Sequence, residues 1–278
     1  MSCVGNTNPY VMKDDSPVLR HSIVAFVDIL GYKELSREKS SSLRFLVEIR
    51  EAFRNAFRSL DPHTDEPPDS QRCWMAKTFT DNIVVGFPIT FDDGAYEFFM
   101  VLSHLAELQL QMAVSGFFVR GAVSVGDIYM DEQIVFGPAL IEAHDAEEKR
   151  ARDPRIVLAS SARATQYIQL SMDMAQKESY QHHDVILQDV DGQLFLNYLQ
   201  GVVEFEHDML YPYTEYLEKH RDHLLERLGR FAVDPRVWSK YYWCATYHNY
   251  FCSGRAELEE YMINMLSITP QPRRIMDV

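Results

Sequence analysis

The stretch SIVAFVDILGY (22–32) opens with a short run, Ser22 to Asp28, of apolar, β-branched and aromatic residues and turns at Gly31. That pattern predicts a buried strand with Asp28 at its C-terminal end. Downstream, Leu43, Leu46, Val47, Ile49, Phe53 and Phe57 follow helical spacing and predict a helix over about 36–60. DPHTDEPPDSQ (61–71) reads as a surface loop. Two strands follow, about Cys73–Phe79 and Ile83–Phe87, separated by Thr80, Asp81 and Asn82, which predicts a tight hairpin with Asp81 at its tip. A helix over 93–115, a hairpin of 117–127 with 133–136, a helix over 138–152 and a strand over 155–158 continue the chain. The order strand, helix, hairpin, helix, hairpin, helix, strand predicts an α+β fold with a ferredoxin-like core, one mainly antiparallel sheet covered by helices.

The remainder divides around this core. Residues 1–20 are polar and predict a flexible N-terminal arm, and 21–200 the main domain. Within it 184–199 read as a hairpin turning at Asp191-Gly192. Residues 201–278 predict a helical C-terminal extension packing on the core, in which KYYWCATYHNYF (240–251) reads as an aromatic helix against the sheet. His182, His183, His220 and His223 read as surface histidines.

With 46% hydrophobic and 24% charged residues, the 278-residue chain has an ordinary globular composition. Its formal net charge of −14 argues against a surface that grips nucleic acid, which requires positive charge. It does not argue against a nucleotide substrate, whose charge a metal ion can offset locally. Cys3, Cys73, Cys244 and Cys252 show no CxxC spacing, so reduced cysteines and a cytoplasmic location are expected. The N-terminus lacks the apolar core of a signal peptide, and no apolar run is long enough to span a membrane.

The predicted topology brings Asp28 and Asp81 together, because the first strand and the hairpin lie side by side in a ferredoxin-like sheet. Two carboxylates so placed repel unless positive charge sits between them, and a pair of Mg²⁺ or Mn²⁺ ions bridged to phosphate oxygens suits that position. Gly31, in the turn after Asp28, permits close approach of backbone N–H groups to a polyphosphate. An aspartate at a strand end can equally cap the next helix.

Four segments in order resemble the motifs of class III nucleotidyl cyclases: FVDILGY (26–32), KTFTDNIVVGF (77–87), RGAVSVG (120–126) and FGPALIEAHDAEEKRARDPRIVLAS (136–160). The resemblance implies that Asp28, Asp81 and the Ile29 carbonyl bind two divalent metal ions, Mn²⁺ or Mg²⁺. Asp28 then lies near the ribose 3′-hydroxyl, Leu30, Gly31 and Tyr32 cradle the phosphates, Arg120 contacts the triphosphate and Lys77 reads the base. Arg120 also reads as a sheet-edge arginine and Lys77 as an exposed strand lysine. The resemblance further implies a head-to-tail homodimer.

Several positions depart from that family. The Asn and Arg that usually orient the ribose and support the transition state are replaced by Ile141 and Asp145, with Lys149 one turn further along the same helical face. The acid that usually accepts a hydrogen bond from the adenine amine is replaced by Ile134. A buried amine without a partner costs about 1–3 kcal/mol, so Lys77 without an acceptor favours uracil, and hence UTP as substrate. KTFTDN, GPALIEAHDAEE with PRIVL, and KYYWCATYHNYF resemble a narrower group, the bacterial antiphage pyrimidine cyclases of Pycsar systems. That group implies cyclic UMP or cyclic CMP as a product read by a separate cyclic-nucleotide effector. An adenylate or guanylate cyclase, or a non-catalytic nucleotide-binding domain, are the alternatives.

Overall fold

The computed structural model describes residues 8–39, 42–60, 74–90, 95–165, 185–204 and 214–268. Strand β1 (Arg20–Ile29) is central, with β3 (Asn82–Pro88) and β4 (Val119–Met130) antiparallel on either side. β2 (Met75–Phe79) pairs antiparallel with β3, so these four strands run β2-β3-β1-β4, the ferredoxin-like order. Beyond β4 come β6 (Ile156–Leu158), parallel to it, then β8 (Leu194–Leu196) and β7 (Ile186–Gln188), while the short β5 (Val135–Phe136) folds back on β4. The expected α+β fold with one mainly antiparallel sheet is what the chain adopts. β4 extends to Met130 rather than ending near 127, because Ile128 and Met130 are still buried.

β1 is apolar on both faces because both are covered. Ile23, Ala25, Val27 and Ile29 face the larger core, built with helices α2 (Leu43–Arg58) and α3 (Ala95–Val114). Val24 and Phe26 face a smaller core beneath α4 (Pro138–Arg150). The larger core also takes in Leu35 of α1 (Tyr32–Lys39), Ala162 of α5 (Ser160–Ala164) and side chains of α6 (Thr214–Arg230) and α7 (Pro235–Ser253). Each buried Val, Ile or Leu contributes about 1.5–3 kcal/mol.

The region expected as one helix over 36–60 contains two, and α2 turns a different face inward. Phe45, Ile49, Ala52 and Ala56 are buried, whereas Leu43, Leu46 and Val47 are exposed. Ser42 caps α2 by accepting from the Phe45 N–H at 3.3 Å. The expected polar arm did not provide for Tyr10. Its ring is fully buried in the smaller core, its hydroxyl lies 3.2 Å from Ser22 Oγ, and a Cβ at Gly86 would meet that hydroxyl at 2.6 Å.

α4 approaches the sheet closely because its inner face is Ala139, Ala143 and Ala146. Gly137, at φ 151°, starts it where a Cβ would fall 2.4 Å from the Asp127 carbonyl oxygen.

The C-terminal helices are tied to the core by two polar clusters. Arg155, fully buried, pairs with Asp189 and Asp191 of the β7–β8 turn, and its guanidinium lies 5.4 Å from the Trp243 ring centre on α7. Trp243 Nε1 donates to Asp189 at 2.7 Å. Those two aspartates, expected only as turn residues, also hold the arginine. In the second cluster Tyr198 Oη lies 2.8 Å from His220 Nε2, His220 Nδ1 lies 3.0 Å from His248 Nδ1, and His248 Nε2 lies 3.0 Å from the Tyr261 carbonyl oxygen. A carbonyl only accepts, so neutral His248 carries its proton on Nε2. His220 then donates from Nδ1 to His248, and Tyr198 donates to His220. His220 is therefore a core residue and not the surface histidine the sequence suggests, while His223 is partly exposed beside Glu226. His182, His183, Cys3 and Cys73 lie outside the described residues.

Candidate active site

The register across β3, β1 and β4 sets Asn82, Asp28 and Arg120 in one row. In antiparallel pairs, opposed residues project to the same face. Here that face carries α4. Arg120 Nε donates to Asp28 Oδ2 at 3.1 Å and lies 2.8 Å from Glu147 Oε1 of α4, an ionic approach without hydrogen-bond alignment.

Asp81 stands next to this row at the tip of the β2–β3 hairpin, a two-residue turn of Thr80 and Asp81. Its backbone carbonyl accepts from the Ile29 N–H at 3.1 Å. Its Oδ1 accepts from Thr80 Oγ1 at 2.7 Å and from Asn82 Nδ2 at 3.3 Å. Thr80 has φ 57°, a left-handed conformation that a β-branched residue rarely adopts. Thr80→Asn is therefore expected to stabilise the protein by about 1 kcal/mol in urea unfolding while loosening Asp81. An unchanged or lower midpoint contradicts strain at this turn.

The Asp28 carboxyl is raised above its ordinary range, chiefly by burial, with the Asp81 carboxylate adding to the rise and Arg120 opposing both. Glu147 is raised as well, again by burial first, with Asp28 adding and Arg120 opposing. One guanidinium thus serves two carboxylates, Glu147 buried and Asp28 half-buried, and Asp28 also feels a third. Glu147 was not singled out by sequence reasoning. The available signal was its place in the inward row Ala139, Ala143, Ala146, Glu147, where a carboxylate needs a partner.

The donor set fits hard divalent cations. Asp28 and Asp81 bring carboxylates to one end of the sheet, and strand geometry turns the Ile29 carbonyl to the side on which its N–H meets Asp81. All of these ligands are oxygen, and the repulsion felt by Asp28 is what a bound cation relieves. A separate exposed group on α4, His144, Asp145 and Glu148, brings ligand atoms within 4.8 Å of one another, but Asp145 is paired with Lys149 at 2.6 Å.

Gly31, at φ 72°, follows β1, and the Leu30 N–H donates to the Phe118 carbonyl at 2.9 Å. Tyr32 starts α1, so the Leu30-Gly31-Tyr32 turn sits beside Asp28. Lys77 lies two residues along β2 from Phe79, which pairs with Asn82, and so shares the face of Asp28. Its Nζ is buried without a hydrogen-bond partner.

Asp131, which the sequence reading did not consider, accepts from Tyr129 Oη and from the backbone N–H groups of Gln133 and Ile134, all at 2.7 Å. Its carboxyl is lowered mainly by the Tyr129 hydrogen bond, with Lys77 contributing. An acidic group therefore stands near Lys77 although Ile134 does not supply it. Ile134, Phe136 and Ile141 are 53%, 65% and 67% exposed. Ile141, Asp145, Lys149, Arg150 and Ser160 line a cleft of about 410 Å³.

No family model matches the chain, and no curated protein does. Among solved structures it is similar to the adenylyl cyclase CyaB from P. aeruginosa, at 15% identity and a TM-score of 0.42, over 64% of this chain and 93% of that one. No helix among the described residues is long and apolar enough to cross a membrane.

Proposed function

We propose that the chain is a nucleotidyl cyclase that converts UTP to 3′,5′-cyclic UMP and pyrophosphate. The observation that carries this reading is the meeting of Asp28 and Asp81, with Arg120, beside the turn at Gly31. In this reading Asp28, Asp81 and the Ile29 carbonyl hold two Mg²⁺ or Mn²⁺ ions, which lower the pKa of the ribose 3′-hydroxyl and offset charge on the triphosphate. The 3′-hydroxyl gives up its proton to solvent water as its oxygen bonds to the α-phosphorus and the bond to the β-phosphate oxygen breaks, releasing pyrophosphate. The Leu30-Gly31-Tyr32 turn offers backbone N–H groups to the phosphates. Arg120 contacts them, and its approach to Glu147 keeps the guanidinium in place when Asp28 is engaged elsewhere. Lys77, with a buried and unpartnered Nζ, donates to a carbonyl of the base.

A head-to-tail homodimer belongs to the same reading, with one subunit giving Asp28, Asp81 and Arg120 and the other Lys77, and the exposed Phe79, Ile134, Phe136 and Ile141 offer it apolar surface. So does a role for the product as a messenger for a separate effector in antiphage defence. Cyclic CMP is the nearest variant. A second reading, cyclic AMP formation, is favoured by Asp131, a carboxylate near Lys77 that can accept from an amine.

Incubation of the full chain with each of the four triphosphates and Mn²⁺, read by mass spectrometry, is the test. Cyclic UMP is expected to predominate, and Asp131→Asn is expected to leave that preference intact. Predominant cyclic AMP that Asp131→Asn abolishes establishes the second reading instead. Nucleotide binding with neither cyclic product nor pyrophosphate refutes both.

A further inference from the structure

Two carboxylates compete for one hydrogen of Arg120. Its Nε–H donates to Asp28 Oδ2 at 3.1 Å, while Glu147 Oε1 stands 2.8 Å from the same nitrogen. Nε carries a single hydrogen, and that hydrogen points at Asp28. Glu147 Oε1 is therefore left buried without a hydrogen bond, although it is the nearer of the two oxygens. The terminal Nη groups of Arg120 make no hydrogen bond among the described residues.

The backbone holds these groups in place. Arg120 lies opposite Asp28 in the register of β4 on β1, and the N–H of the next residue, Gly121, donates to the Arg155 carbonyl at 3.1 Å. Glu147 projects from α4, which the small Ala139, Ala143 and Ala146 bring close to the sheet, and its side chain is 5% exposed. A buried carboxylate oxygen without a donor carries a penalty, and the donor beside it is the one given to Asp28. Once the Asp28 oxygens turn to a cation, the Nε–H in turn lacks its acceptor. A small rotation of the guanidinium toward Glu147 then removes both penalties together.

We propose that Glu147 is a positioning residue that takes over the Arg120 Nε–H when Asp28 binds a metal ion. The hand-over favours metal binding at Asp28, because it leaves no buried donor unpaired. It also keeps the Nη edge of the guanidinium open to a phosphate. The inference rests on the metal reading of Asp28 and Asp81, and it gives that site a residue that acts on metal affinity without being a ligand.

The test is Mn²⁺ binding to the full chain without nucleotide, measured by calorimetry, with a melting curve for each variant. Glu147→Met has nearly the length of glutamate but only a weak acceptor, and it is expected to lower Mn²⁺ affinity about tenfold. Glu147→Gln keeps an acceptor oxygen and is expected to recover most of that loss. In an Arg120→Met background there is no Nε–H to hand over, so adding Glu147→Met is expected to change Mn²⁺ affinity by less than about twofold. A tenfold loss that persists in that background overturns the proposal, because Glu147 then acts on the metal through its charge alone. Equal Mn²⁺ affinity in wild type and Glu147→Met overturns it as well, and so does a Glu147→Met chain that is unfolded without metal, which makes the residue structural. A wild type that binds no Mn²⁺ refutes the metal reading itself, whereas Mn²⁺ binding that is indifferent to Glu147 leaves that reading standing and removes only the hand-over.

Discussion

On the proposed cyclase reading, Asp28→Asn and Asp81→Asn are each expected to lower cyclic nucleotide formation by about a thousandfold or more, because each would remove a charged oxygen from the set proposed to hold the metal ions. The same substitutions do not unfold the protein. Asp28 is a half-buried carboxylate raised by burial and by Asp81, so an amide there removes charge repulsion while still accepting from Arg120. Melting temperatures without metal are expected to match wild type or exceed it. Mn²⁺ is expected to raise the melting temperature of wild type and to have little effect on either variant, since a ligand stabilises only the folded state that binds it. Wild-type turnover in Asp28→Asn removes the metal assignment, and a collapsed melting curve shows that the aspartate is structural instead.

The buried pair His220–His248 gives a second large effect, on stability against acid. Burial pulls the His248 imidazole from 6.5 to about 4 and His220 well below 6.5. Below pH 6.5 the unfolded chain takes up protons that the folded chain refuses, so stability is fully present above that pH and falls as pH drops toward 4. His248 contributes about 2 kcal/mol of loss between pH 6.5 and pH 5, and His220 acts in the same direction. Asp28, Glu147 and Asp153, all raised carboxyls, act in the opposite sense: they cost stability as pH rises through their raised values. A variant isolates the histidine part. Urea unfolding of His248→Gln is expected to lose about 2 kcal/mol less than wild type over that interval. Parallel curves for the two proteins exclude the buried imidazole as the cause.

Much of the fold was legible because its signals are local. The run from Ser22 to Asp28 is apolar at every inner position, and the interruption at Thr80 to Asn82 is short enough to allow only a hairpin. α2 was legible as a helix but not in its orientation: Leu43, Leu46 and Val47 have helical spacing, yet the small Ala52 and Ala56 allow a closer approach and line the buried face. In the site, Asp28, Asp81, Arg120 and Lys77 were legible from motif and topology. Glu147 and Asp131 were not: Glu147 matters through Arg120, distant in sequence, and Asp131 through a turn of its own with Tyr129, Gln133 and Ile134 that stands near Lys77. Nor did turn rules foresee a threonine at positive φ, where glycine or asparagine is the usual solution. His220 was misread because a histidine on a charged helix carries no sign of the ring it will face.

Arg155 bears on how the chain comes apart. Its guanidinium is fully enclosed by the β7–β8 turn and by Trp243 of α7. Detaching either element strands a charge in an apolar interior, so neither can open alone at low cost. The sheet that carries Asp28 and the helices that follow it therefore melt as a single cooperative unit, and a protease must wait for that global opening before it can remove the last helices.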